Sequence, residues 1–154
     1  MAVRISRYRL DMSDLPIRIG TAAPPTDTVT GLTITLTAAA NVALGDACYI
    51  NSSGKADLVN ATAAGTSSAI VLAAATIAAN ATGVFLLHGI GHLHTLNPGW
   101  TIGGLIYASV TGTSGNTLTQ SAPSGTGNVI QILGVAIAAD TIYLNPQLVQ
   151  VEHA

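Results

Sequence analysis

From Gly31 onward the chain alternates. Leu32-Thr33-Ile34-Thr35-Leu36-Thr37 puts apolar side chains on one face of an extended segment and threonines on the other, the period-two signature of a β-strand. Shorter runs follow, bounded by Gly, Asn, Ser or Thr. They are Cys48-Tyr49-Ile50, Lys55-Ala56-Asp57-Leu58-Val59, Gly83 to Leu87, Leu105 to Ser109, Thr117 to Gln120, Val129 to Ile137 and Thr141 to Leu144. Asn51-Ser52-Ser53-Gly54 is a turn by composition, so the runs on either side of it predict a hairpin. Ala61 to Ser67 reads as loop. In Ala69 to Ala79 the alanines suit a helix by propensity, whereas Ile70-Val71-Leu72 and the neighbouring strands favour β structure or a short helix-like turn. No long amphipathic helix is visible. The pattern predicts an all-β domain, a compact β-barrel or sandwich of short antiparallel strands, over residues 31–154.

Part of the pattern occurs twice. Gly45, Tyr49 and Gly54 recur as Gly103, Tyr107 and Gly112, and Ile77-Ala78-Ala79-Asn80 before Val84-Phe85-Leu86 rhymes with Ile137-Ala138-Ala139-Asp140 before Ile142-Tyr143-Leu144. Each copy reads as a glycine turn, a tyrosine-centred strand and a second glycine turn, so an internal duplication is expected.

Residues 1–30 differ. They hold four of the five basic residues (Arg4, Arg7, Arg9, Arg18) and three prolines (Pro16, Pro24, Pro25). Thr21-Ala22-Ala23-Pro24-Pro25-Thr26-Asp27 suits neither helix nor central strand and reads as extended arm or linker, so residues 1–30 are expected to be an extended N-terminal arm, either a frayed terminus or a segment that docks on a partner. Arg4, Arg7, Tyr8 and Arg9 are its candidate anchors on a partner.

Charge changes the picture more than hydrophobicity does. Asp, Glu, Lys and Arg make up 8% of the chain, against roughly 25% in ordinary soluble domains. None lies between Asp57 and Asp140. A surface so poor in charge suits a protein largely covered by copies of itself or by a partner. The net charge of −2 argues against a general nucleic-acid binder. Ser68 to Leu87 is apolar, but polar residues interrupt it and no basic flanks bound it, so no membrane span is expected. Cys48 is the lone cysteine and reads as a small buried hydrophobe.

Candidate chemistry is sparse. His88, His92 and His94 share a face of an extended chain, at a spacing metal ligands would use. No carboxylate lies near them in sequence to orient them, so they are expected to be polar strand or interface residues, with no metal and no cofactor. His92, His94 and Trp100 are the candidate interface between copies. Trp100, after Asn97-Pro98-Gly99, plugs a barrel end or an interface. No serine sits in a Gly-x-Ser-x-Gly setting, and Ser121-Ala122-Pro123-Ser124-Gly125-Thr126-Gly127 lacks the lysine of a phosphate loop. No catalytic residue is expected.

Over about residues 40–145 the chain resembles small capsid decoration (cement) and head-fibre proteins of tailed bacteriophages. The resemblance lies in Ala40-Asn41-Val42-Ala43-Leu44-Gly45-Asp46-Ala47-Cys48-Tyr49-Ile50, in Gly104-Leu105-Ile106-Tyr107 and in the closing run from Gln131 to Leu144. It implies a β-rich domain, a homotrimer on the outer capsid of the virion, bound to the major capsid protein and reinforcing the head. An adhesive fibre module that binds host glycans is the alternative, and the scarcity of aromatic residues (4%) weighs against it.

Overall fold

The alternating Leu/Thr segment forms β1 (Thr28–Thr37), which pairs antiparallel along its whole length with β5 (Thr82–His92). A computed structural model describes residues 26–154, so the arm's proposed anchors Arg4, Arg7, Tyr8 and Arg9 lie outside the described residues. The expected domain boundary at 30/31 falls inside β1. The other elements are β2 (Ala47–Ile50), β3 (Ala56–Leu58), α1 (Ala64–Ser67), β4 (Val71–Ala73), β6 (Leu105–Ala108), β7 (Leu118–Thr119), β8 (Val129–Ile130), β9 (Ile132–Ala138), β10 (Thr141–Leu144) and β11 (Val151–Glu152). The fold is nearly all β, a curled antiparallel half-barrel sheet.

Three elements depart from the sequence pattern for identifiable reasons. The segment from 61 to 67 contains the single turn α1, too short to persist outside its tertiary setting. Residues 129–137 break into β8 and β9 at Gln131, whose buried side chain serves other backbone. Its Oε1 accepts from the Ala69 N–H at 2.9 Å, and its Nε2 donates to the Ala69 and Gln147 carbonyls at 2.8 and 2.9 Å. The central strand β5 extends five residues past Leu87 because Gly89 and Gly91 carry it onward. Gly89 faces Gly31 of β1, and both have φ near +140°. A Cβ on either would stand 2.1–2.2 Å from a carbonyl oxygen of the opposing strand, so only a glycine pair permits this approach.

The duplication is present in strand order. Strands follow β3-β2-β4-β5 in the first unit and β7-β6-β9-β10 in the second. The register differs. Ala47 lies in the row Ala47–Leu72–Leu86 across β2, β4 and β5, whereas its counterpart Leu105 lies in the row Leu105–Val135–Tyr143 across β6, β9 and β10, where Tyr143 is the counterpart of Phe85. With β1 filling one edge of β5, β4 and β10 share the other edge, at residues 85–86 and 89–92. The two units thus leave the same strand as two arms.

Alternation along these strands divides the core in two. One face of the first unit (Ala47, Leu72, Leu86) packs on Ile106, Leu133, Ala136 and Ile142 of the second. Its other face (Cys48, Val71, Ala73, Phe85) is covered by Ala38, Val42 and Ile77. Cys48 is buried as expected, and loss of hydration pushes its thiol pKa far up, with Asp46 and Asp57 adding to the effect. Trp100 keeps only 7% of its surface and packs in the first cluster.

A buried carboxylate clasps the two units together. Asp46, 1% exposed, accepts from the Ala43 N–H (2.8 Å), the Ser114 hydroxyl (2.7 Å), the Gly115 N–H (2.8 Å) and the Thr117 hydroxyl (3.0 Å). Thr117 Oγ1 in turn accepts from the Ala47 N–H at 2.8 Å. This clasp joins the start of β2 to the loop before β7, and every acceptor position of the carboxylate is used well.

Candidate functional site

Histidine chemistry gathers where β5 ends. His92, the last residue of β5, is buried between β1 and β10, pairing with Thr28 and Thr141. The Leu93 N–H donates to the Asp140 carbonyl at 2.7 Å, which pins the β9–β10 turn against this end of β5. The pinning brings the Asp140 carboxylate to 3.0 Å from His92 Nε2 and 3.7 Å from His94 Nδ1. The imidazoles of His92 and His94 stack, with centroids 5.9 Å apart and planes 28° from parallel. On its other side, His92 Nδ1 lies 2.8 Å from the Thr26 carbonyl. A carbonyl only accepts, so Nδ1 carries a proton.

The acids around the cluster are held ionised. Burial alone would raise the Asp140 carboxyl, but the Thr141 hydroxyl bond and the neighbouring His92 outweigh it and keep its pKa below the usual carboxylate value. At Asp27 burial again works upward, and the hydroxyl and N–H of Thr95, with His94 and His92 nearby, win. Asp27 therefore adds a second negative charge beside the two imidazoles.

Of the residues expected at an interface between copies, only His94 is open to solvent. His92 and Trp100 are buried within the chain itself, His92 because both ring nitrogens serve internal partners and Trp100 because it fills the core. His88 does not join the cluster. Its Nε2 meets the Tyr143 hydroxyl at 3.0 Å, and the two rings sit edge-on at 5.4 Å. The residue missed by sequence reasoning is Asp140. Its signal was available, since it is the sole Asp, Glu, Lys or Arg between residues 58 and 151, and it replaces the Asn80 of the first copy. Asn80 instead accepts from Lys55 Nζ at 2.8 Å.

A second feature is a surface. The row Leu105–Val135–Tyr143 continues onto Ile90 of β5. Leu105 is 40% and Tyr143 38% exposed, and Ile137 is open on β9. Beside the row, β1 exposes Leu32 and Ile34, and among the described residues no strand pairs its outer edge. Long unpaired edges invite pairing with another chain.

A third feature is a cleft of about 360 Å³ lined by Asp46, Leu96, Trp100, Thr117 and Gln120 among others. Its tryptophan is buried and offers no stacking platform. Among the described residues no helix is long and apolar enough to cross a membrane, and Ser68 to Leu87 is β4, a turn and the first half of β5.

Compared with known proteins, the chain matches no protein-family model, no curated protein and no solved structure.

Proposed function

We propose that the chain is a capsid decoration (cement) protein of a tailed bacteriophage, binding the outer surface of the virion head as a homotrimer and stabilising it. The observation that carries this reading is the apolar row Leu105–Val135–Tyr143 with Ile90, in which Leu105 and Tyr143 are exposed and Val135 and Ile90 half-buried. Copies meeting through this face and the free edge of β1 would cover apolar surface that a chain with 8% charged residues is poorly equipped to keep soluble alone. The resemblance of residues 40–145 to decoration proteins points the same way. Such a protein does no chemistry. It binds the assembled shell and not its free subunits, and so stabilises the shell by mass action.

In this reading Arg4, Arg7, Tyr8 and Arg9 anchor the arm on the major capsid protein. Three arms on one trimer bind with avidity, because after the first docks the others engage intramolecularly. Occupancy of purified, undecorated capsids of the parent phage tests both parts. Deleting residues 1–12 is expected to lower apparent affinity at least about 100-fold. Leu105→Lys is expected to release monomers with unchanged circular dichroism and to lower occupancy by a similar factor. Wild-type protein that ignores capsids yet labels a glycan array would replace this function with an adhesive one.

A further inference from the structure

The geometry points to a metal site built by His92 Nε2, His94 Nδ1 and a carboxylate oxygen of Asp140, suited to Zn²⁺ and independent of the proposed decoration function. Three observations carry it. The three ligand atoms all lie within 4.8 Å of one another. The two separations from Asp140 Oδ2, 3.0 and 3.7 Å, bracket the roughly 3.3 Å between ligands of a tetrahedral ion with bonds near 2.0 Å. Small rotations of the His94 ring and the Asp140 carboxylate would equalise them.

The second observation is the orientation of His92. Its Nδ1–H donates to the Thr26 carbonyl, the outer-shell bond that fixes the tautomer of a metal-ligating histidine and aims its other nitrogen at the ion. In that tautomer the Nε2 lone pair faces an ionised carboxylate at 3.0 Å. Acceptor confronts acceptor, so a positive species belongs between them. The third observation is charge. The Asp27 carboxylate bonds the N–H and hydroxyl of Thr95, next in the chain to His94, and no Lys or Arg lies between residues 56 and 154.

Two imidazoles and one carboxylate form a borderline donor set that suits Zn²⁺ over Ca²⁺ or Mg²⁺. Exposure of His94 leaves a fourth position facing solvent, for water or a group from a neighbouring chain. The ion would tie the end of β5 to the β9–β10 turn and, through the Thr26 carbonyl, to the start of β1. His88 is excluded, being held by Tyr143.

The test uses the full chain, stripped by chelator and titrated with Zn²⁺. One ion per chain is expected, with a rise in Tm on the order of 5–10 °C at a hundredfold excess over Kd. Co²⁺ in place of Zn²⁺ should give the visible absorption of a four-coordinate site. His94→Ala, at an exposed position, is expected to leave the metal-free Tm within about 2 °C while weakening Zn²⁺ binding at least about 100-fold. Asp140→Asn should weaken it similarly, and His88→Ala should leave it intact. If Zn²⁺ leaves Tm unchanged, or if its effect persists in His94→Ala, a proton and not a metal bridges His92 and Asp140, and the site is overturned.

Discussion

Replacing Asp46 by Ala is expected to cost roughly 3–5 kcal/mol of stability, lowering Tm by about 10 °C. The carboxylate is 1% exposed and accepts four hydrogen bonds, two from backbone N–H groups and two from hydroxyls. Truncation strands these donors in a closed junction, where each unsatisfied group costs about 1–3 kcal/mol. Water entering from the neighbouring cleft, which Asp46 itself lines, offsets part of the loss. The loss is also topological, because the clasp holds β2 against the loop before β7 and so joins the two units at their open side. Asp46→Asn should recover about half the stability, since one amide oxygen still accepts while its NH₂ faces donors. Equal stability of wild type and Asp46→Ala in urea denaturation would show that the two units are held together by apolar packing alone.

The second large effect is expected from Gly89→Ala, at roughly 3 kcal/mol or more. The new Cβ would stand 2.2 Å from the Thr30 carbonyl oxygen and 2.8 Å from Gly31 Cα, at φ +140°. Both obstacles are backbone and cannot swing aside, so β1 must leave β5. Gly54→Ala is the control. That glycine also has positive φ (+72°), but a Cβ there meets nothing within 4 Å, and a cost of about 1 kcal/mol is expected. In Gly89→Ala, amide hydrogen exchange should accelerate selectively over Val29 to Thr35. If the two variants are equally stable and β1 stays protected, the close approach of β1 and β5 does not limit the fold.

The architecture was legible because β-sheet periodicity is local. Leu32 to Thr37 declares its strand by alternation alone, and the tyrosine-centred copies declare a duplication that survives as matching strand order. What escaped was set by tertiary partners. Nothing around Gln131 announces that its side chain will serve Ala69 and Gln147, or that β8 will pair with β11 while β9 pairs with β6 and β10. Alternation also says which residues share a face and not which face is covered. Leu32 and Ile34 look like core residues in the sequence, yet both remain exposed. The histidine cluster failed for a related reason. Sequence neighbours suggested His88 as third member, whereas the fold supplies Asp140 from 46 positions beyond His94. The hydrogen bond from Leu93 to the Asp140 carbonyl makes that long-range meeting possible. The lone acid in a long charge-free stretch was the available clue.

Assembly is the central claim, and the mass of the intact chain in solution by light scattering tests it most directly. A homotrimer at three times the 15.5 kDa chain mass is expected, falling to monomer in Leu105→Lys. A wild-type species of 15.5 kDa that persists as concentration rises would contradict it, leaving the open Leu105–Val135–Tyr143 face without the partner proposed for it.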